Sequence, residues 1–430
     1  MRRLLFIFSF LSLLVVDGKA QEVETLTLED CLRIGIDNNL SLEGKRKEIQ
    51  KSKYGVSENR SKLLPQITVI AGYNNNFDPP VSVTDGSSYG VPYNITKTLQ
   101  HTANAGLEMQ MPLFNQTLYT SMSIAKVMEE ISRLSYGKAR EDIIMQISKM
   151  YYLGQVTAEQ IVLIKANITR LEELRDITQA FFDNGMSMEV DLKRVNINLE
   201  NLKVQYDNAQ AMMKQQLNML KYIMDYPAEK EFVLTPVNTD SITTVALTGL
   251  SENIYELQLS QSQVQLAEKQ KKIISNGYIP SLSLTGSWRY AAYTDKGYHW
   301  FHSGPSNHWF RSYGLGLTLR IPIFDGLDKT YKIKKAMIDI ENSKLAWENA
   351  RKSLQTQYLN AVNDLMNNQR NFKKQKDNYL LAEDVYTVTS DRYREGIASM
   401  TEVLQDEMQM SEAQNNYISA HYNYLSLIHI

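Results

Sequence analysis

Apolar positions along this chain change period several times, and the changes come twice in the same order. From Leu28, apolar residues at Leu28, Cys31, Leu32, Ile36, Leu40, Ile49 and Val56 follow the helical period and predict a helix over 28–63. Thr27 and Asp30 form a loose capping box at its start, and Pro65 ends it. The period then drops to two. Ile67, Val69, Ala71 and Tyr73 alternate with Gln66, Thr68 and Gly72, with Ile70 the one misfit, which predicts a strand with one apolar face. Residues 74–102 are rich in Asn, Asp, Gly, Ser and Pro and predict a long loop. Alternation returns at Leu107, Met109, Met111 and Leu113, and Pro112 is expected to stop that strand. Residues 115–181 contain no proline, and their helical spacing predicts a single helix on the order of 100 Å long. Asn184-Gly185 breaks it as a left-handed turn, and a second helix returns over 188–224.

The second half repeats this order. Helix is predicted over 252–275, strand over 281–291, an aromatic loop to Ser312, strand over 313–322, a long helix over 327–393, a turn at Gly396 and a last helix over 401–428. Short motifs repeat with it. Gly106-Leu-Glu-Met-Gln-Met-Pro112-Leu-Phe114 returns as Gly316-Leu-Thr-Leu-Arg-Ile-Pro322-Ile-Phe324, 210 positions on. Leu64-Pro65 returns as Ile279-Pro280, and Phe182-Asp-Asn-Gly185 as Tyr393-Arg-Glu-Gly396. The chain is a duplicated unit, divided here into 1–20, 21–240 and 241–430, and one copy is too small to bury its own apolar surface.

Composition narrows the class. Hydrophobic residues make up 43% of the 430, and beyond the N-terminus no run approaches the twenty apolar residues of a membrane helix. A membrane barrel, whose strands alternate, stays open. Arg2 and Arg3, the apolar stretch Leu4 to Val16, and Gly18-Lys19-Ala20 predict a secretory signal peptide over 1–20, cleaved before Gln21. Cys31 stands alone, so no internal disulfide is expected, and a place on a helix face accounts for it. The formal charge of −2 gives no sign of nucleic acid.

Four strands with one apolar face each cannot close a barrel, and open strand edges are not tolerated in lipid. The strands must be pooled between chains, two copies giving eight and three giving twelve. Glu108, Gln110, Thr318 and Arg320 fall on one face, and Leu107, Met109, Met111, Leu317, Leu319 and Ile321 on the other. A polar interior with an apolar exterior is the membrane-barrel pattern. Tyr73, Trp288, Tyr290 and Tyr313 lie towards the long loops, where they form an interfacial girdle or are ordinary strand aromatics. The long helices exceed a bilayer several-fold and must project from one side.

Leu64-Pro65 before a strand, the doubled Gly-Leu-x-x-x-x-Pro-x-Phe, Tyr393-x-x-Gly396 followed by Val403-Leu404, and the ending Ala420-His-Tyr-Asn-Tyr424-Leu resemble the TolC-like outer-membrane efflux proteins. The resemblance covers nearly the whole mature chain. It implies an α+β membrane protein built as a homotrimer, with a twelve-stranded β-barrel in the outer-membrane lipids and an α-helical coiled-coil tunnel in the periplasm. It implies a periplasmic adaptor (membrane fusion) protein and an inner-membrane transporter as partners, and passive export of small molecules or proteins. It places the aperture and the adaptor contact at the helix tips, around Asn184, Gly185, Gly396 and Ser399. Asp191 and Glu402, six residues beyond their glycines, match positions where the family carries acidic aperture groups, each a ring of three in a trimer. The alternative is a carboxylate placed by the helix macrodipole. Some relatives carry a second acidic residue where this chain has Gln405, so the resemblance does not extend to a double ring. By the same resemblance Asp391, Arg392 and Tyr393 tie neighbouring helices shut, against the plainer reading of an exposed helix end.

No nucleophile elbow, phosphate loop or zinc motif stands in the sequence, and no cofactor is expected. His299, His302 and His308 share one loop and read as surface residues. Asn94 and Asn167 match glycosylation acceptors, but Asn167 lies in mid-helix. The rival architecture is an exported coiled-coil stalk without a pore, which has no need of the alternating strands.

Overall fold

A computed structural model describes residues 24–97, 99–236, 253–294 and 309–427. The signal segment and the three histidines of the 299–308 loop lie outside these residues. In chain order the elements are β1 (Glu24–Leu26), α1 (Leu28–Asn38), α2 (Leu40–Ser61), β2 (Gln66–Asn75), β3 (Val81–Asp85), β4 (Tyr93–Lys97), β5 (His101–Phe114), α3 (Gln116–Asp183), α4 (Glu189–Met224), β6 (Phe232–Leu234), α5 (Tyr255–Asn276), β7 (Ser281–Thr294), β8 (Trp309–Arg320), α6 (Asp328–Arg394) and α7 (Met400–Leu427). None of the described helices is long and apolar enough to cross a membrane.

The periodic segments form the expected elements, with four departures. The helix expected over 28–63 is two helices. The Thr27–Asp30 capping box opens α1 as anticipated. At Asn39, however, ψ turns to 119°, and its side-chain amide donates to the Ile223 carbonyl at 2.8 Å. A tertiary partner, with no proline or glycine, therefore ends α1. The stretch 74–102 is not all loop, since β3 and β4 pair as an antiparallel hairpin from Val81↔Lys97 to Asp85↔Tyr93. Pro112 does not stop its strand. Beta strand β5 continues to Phe114 through a register shift between Pro112 and Phe114, a bulge that accommodates the missing N–H. Finally, β8 begins at Trp309, inside the stretch read as an aromatic loop.

Two compact units divide the chain, each drawing on both halves of the duplication. The described residues of Met1–Leu40, Arg140–Leu247 and Leu359–Ile430 form a helical unit, and those of Ser41–Ala139 and Thr248–Tyr358 form a sheet unit. In the sheet unit β2, β5, β7 and β8 make one antiparallel sheet in that order, so the central pair β5–β7 joins the two copies. In the helical unit β1 and β6 pair in parallel and bring Leu26, Phe232 and Leu234 onto Cys31, Ile147, Leu220 and Met224. A second core packs Leu171 and Leu174 of α3, Val195, Leu199 and Leu202 of α4, Tyr386 and Tyr393 of α6, and Met400, Val403, Leu404 and Met410 of α7. Apolar stripes of this kind, and not intrinsic propensity, hold such long helices in place.

Candidate functional site: a two-faced sheet and two helix tips

The sheet register separates polar from apolar side chains across all four strands. One row runs Thr68–Glu108–Ser287–Gly314 and another Gln66–Gln110–Thr285–Gly316. Between them lies Ile67–Met109–Gly286–Leu315, and beyond it Val69–Leu107–Trp288–Tyr313. The polar face is the concave one: a hollow of about 600 Å³ lies along its rows, lined by Gln66, Thr68, Glu108, Thr285 and Ser287, with Ile70, Met109 and Leu315 also bordering it. On that face the Arg289 guanidinium donates to Glu108 at 2.6 Å. The motif glycines sit there too. A Cβ on Gly106 would come within 2.9 Å of the Arg289 Cα, and one on Gly316 within 3.0 Å of the Thr285 hydroxyl.

The apolar face is convex and uncovered, with Leu315 at 79%, Val69 at 74% and Leu317 at 67% exposure. A surface this large, apolar and continuous marks contact with lipid or protein. Tyr73, Trp288, Tyr290 and Tyr313 share this face, and Trp309 joins them opposite Ala292. Trp288 and Tyr290 meet edge to face at 5.3 Å. Both outer strands, β2 and β8, leave one backbone edge without a strand partner among the described residues. Past the end of β8, Pro322 and the exposed Ile323 and Phe324 follow with no strand beside them among the described residues.

The helix tips are built by glycine. Gly185 (φ 78°) and Gly396 (φ 74°) adopt the left-handed conformation. Around each, two backbone bonds close the preceding helix: Met186 N–H to Phe181 O at 2.8 Å with Gly185 N–H to Phe182 O, and Ile397 N–H to Arg392 O at 2.8 Å with Gly396 N–H to Tyr393 O. This is the Schellman arrangement, made twice. Asn184 adds a side-chain bond to the Ala180 carbonyl. Gly185→Ala and Gly396→Ala should each lower stability by about 1–2 kcal/mol, whereas Gly55→Ala, in open space within α2, should raise it by up to about 1 kcal/mol. Thermal melting checks this, and equal effects at the three sites would contradict the tip geometry.

The acidic candidates have local partners. Ser399 caps α7 through its hydroxyl to the Glu402 N–H, and the Glu402 carboxylate accepts from the Ser399 N–H at 3.2 Å. Glu402 is thus half of a capping box. Its counterpart Asp191 begins α4 without such a cap, because Met188 stands where Ser399 stands, and it pairs with Arg194 at 3.2 Å. No bond joins Asp191 to Glu402 among the described residues. Tyr393 is buried and bonds within its own chain, its hydroxyl 3.4 Å from that of Thr178 and its ring 5.5 Å from Phe181. Asp391 contacts Arg394, and Arg394 reaches Glu173 of α3 at 3.4 Å. Arg394 therefore links α6 to α3 within the chain, and Arg392 beside it is exposed. Gln405 is exposed, as are Met186, Met188 and Ile397, which give both tips apolar surface.

A buried polar seam lies further along α7, where spacing alone gave no hint of function. Gln414 accepts from the Asn167 amide at 2.6 Å, and both residues are buried, which removes Asn167 as a glycosylation acceptor. His421, 1% exposed, meets Glu159 at 2.8 Å, and the Tyr417 hydroxyl donates to the same carboxylate at 2.7 Å. Phe372 stacks on His421 at 4.8 Å. Burial opposes the charge on Glu159, but the bonds from His421 and Tyr417 and the nearby Lys376 hold its carboxyl below the usual glutamate value. Glu407, one heptad before Gln414, has no such partners among the described residues, and burial pushes its carboxyl above the usual value. Burial and the Asp30 charge push the Cys31 thiol up to about 12, which leaves it an inert core residue.

Comparison with known proteins places these features. The profile of the family described as outer membrane efflux protein matches residues 34–224 and 239–426. The outer membrane protein TolC of Vibrio cholerae is 21% identical over 383 residues, covering 86% of this chain and 81% of its own. Among solved structures, CusC superposes with a TM-score of 0.77 at 15% identity over 94% of this chain and 90% of its own. The open-state MtrE outer membrane channel of Neisseria gonorrhoeae superposes with a TM-score of 0.72 at 18% identity over 94% of this chain and 87% of its own.

Proposed function

Because the chain belongs to the outer membrane efflux protein family, we propose that three copies of it pool their four-stranded sheets into one twelve-stranded barrel and form the exit duct of a tripartite pump or secretion machine. The observation that carries this reading is the sheet itself, polar on its concave face, bare and apolar on its convex face, and open at both edges. Lipid accepts such a sheet only when every edge is paired, so the β8 edge of one copy must meet the β2 edge of the next. The concave rows then line a water-filled bore, and the aromatics on the convex face lie at the membrane surface.

The long hairpins α3–α4 and α6–α7 make the periplasmic tunnel in this reading, with an adaptor and an inner-membrane transporter as partners. The exposed Met186, Met188 and Ile397 beside the tip glycines support the tips as the adaptor contact. Asp191 and Glu402 remain the candidates for an acidic aperture. Their local bonds assign a second role to each, namely holding the first turn of its own helix. The division into 21–240 and 241–430 draws support from the two stretches that the family profile matches. Transport of this kind is passive and calls for no covalent chemistry. A stalk without a pore gains nothing from a concave polar sheet, which favours the duct.

The test is reconstitution of the full chain into planar bilayers. Discrete ion-conducting steps are expected. Protein that enters the bilayer and carries no current would overturn the reading.

A further inference from the structure

We propose that Lys62 and Arg320 form a subsite for the charged end of an amphipathic carboxylate in transit, at the end of the sheet where strands give way to helices. The proposal rests on the reading of the concave sheet face as a bore. A second hollow of that face, about 370 Å³, is lined by Lys62 and Arg320, by the amides of Gln66 and Gln110, and by the apolar Phe114 and Leu118. No aspartate or glutamate lines it. Its size is that of a site for a small organic molecule.

Charge on this face is unevenly neutralised. Glu108 and Arg289 cancel each other at 2.6 Å. Arg320 has no acidic partner among the described residues, and Lys62 donates to the Asn59 side-chain oxygen at 3.3 Å and meets one carboxylate, Glu58, across one helical turn at 3.5 Å, with the Lys62 and Glu58 side chains 44% and 71% exposed. An exposed pair of that kind holds its lysine weakly. Positive charge on the concave face therefore collects at one end, and threefold repetition would focus anions there. A guanidinium matches a carboxylate with two parallel bonds, a lysine adds a point charge, and Phe114 and Leu118 offer a wall for the apolar remainder.

The duplication locates the origin of the site. Arg320 occupies in the second copy the place that Gln110 holds in the first, two residues before the motif proline. The bulge at Pro112–Phe114 carries Phe114 opposite Leu282, in the row that continues to Leu319 of the apolar face and adjoins the Ser281↔Arg320 pair, and Phe114 lines the hollow from that end of the strand. At this strand position the first copy is neutral and bulged and the second is charged, while the first copy adds Lys62 from α2, and both copies line one hollow.

The probe is 1-naphthoate, titrated by calorimetry into the full-length, detergent-solubilised protein. Binding is expected to weaken at least about tenfold in Arg320→Gln and several-fold in Lys62→Gln, with part of it restored in Arg320→Lys. The cation 1-naphthylmethylammonium should bind wild type and variants alike. Equal naphthoate affinity in wild type and Arg320→Gln, or tighter binding of the cation than of the anion, would overturn the subsite. A wild type that binds naphthoate in this way but carries no current would overturn the bore and leave the subsite standing. One that conducts without variant-dependent binding would do the reverse.

Discussion

Leu317→Arg will keep the protein out of the outer membrane. Leu317 lies on the convex face opposite Leu284, in the row that includes Met111, and two-thirds of its surface is bare. In an assembled barrel it meets hydrocarbon. An arginine facing lipid near the midplane costs about 2–4 kcal/mol per strand position. Three copies multiply that to roughly 6–12 kcal/mol per barrel, comparable to the whole stability of an ordinary domain. The expected outcome is loss of the protein from the outer-membrane fraction and of any heat-resistant oligomer on gels. Ser287→Arg is the control. It stands one row from the apolar set, on the concave face opposite Glu108 and beside a hollow of about 600 Å³, and should insert normally. If Leu317→Arg inserted as well as Ser287→Arg, the convex face would not be the lipid face.

Glu159→Ala should destabilise the helical unit by about 1–3 kcal/mol. Breaking a fully buried pair costs more, but the Glu159 side chain is 30% exposed and solvent relieves part of the loss. The variant strips both His421 and Tyr417 of their acceptor. A pH signature accompanies it. The Glu159 carboxyl is held below its ordinary value of 4.5 in the folded chain, so its contribution is full above about that pH and is lost as the pH falls through the lower folded value. Glu407 works in the opposite sense. Burial raises its carboxyl, so the folded chain loses stability as the pH rises from 4.5 through the raised value, and Glu407→Gln should be more stable than wild type at neutral pH. Thermal melting of the solubilised protein between pH 3 and 8 checks both. Parallel acid limbs in wild type and Glu159→Ala would remove the assignment.

These two predictions draw on different depths of legibility. The convex face can be read from the sequence, because a period of two over Leu107 to Met111 and Leu315 to Leu319 fixes which residues share a side. The polar seam cannot. Glu407, Gln414 and His421 lie seven residues apart, yet polar residues at seam positions look like a solvated helix face until Asn167 and Glu159 of α3 are brought opposite them. The break at Asn39 is hidden for the same reason, since the Ile223 carbonyl that captures its amide is distant in sequence. The hairpin β3–β4 is masked differently: Val81 and Val83 pair with Lys97 and Ile95 inside a stretch whose Gly and Asn content reads as loop.

The tips fall between these cases. Both glycine turns are legible, because only a residue free to take positive φ suits a helix end of this form. Ser399-x-x-Glu402 carries a capping-box signature in plain sequence, and the structure makes both of its bonds. That role competes with a place in an acidic ring. The two copies have diverged here, with Ser399 against Met188, so the returning helix of the second hairpin starts with a fixed carboxylate and that of the first with an ion pair to Arg194.

Everything proposed for the duct depends on the sheet being one third of a barrel. The mass of the detergent-solubilised full chain, determined by native mass spectrometry, tests that most directly. Three chains per particle are expected; a folded monomer or a dimer would rule out the shared barrel.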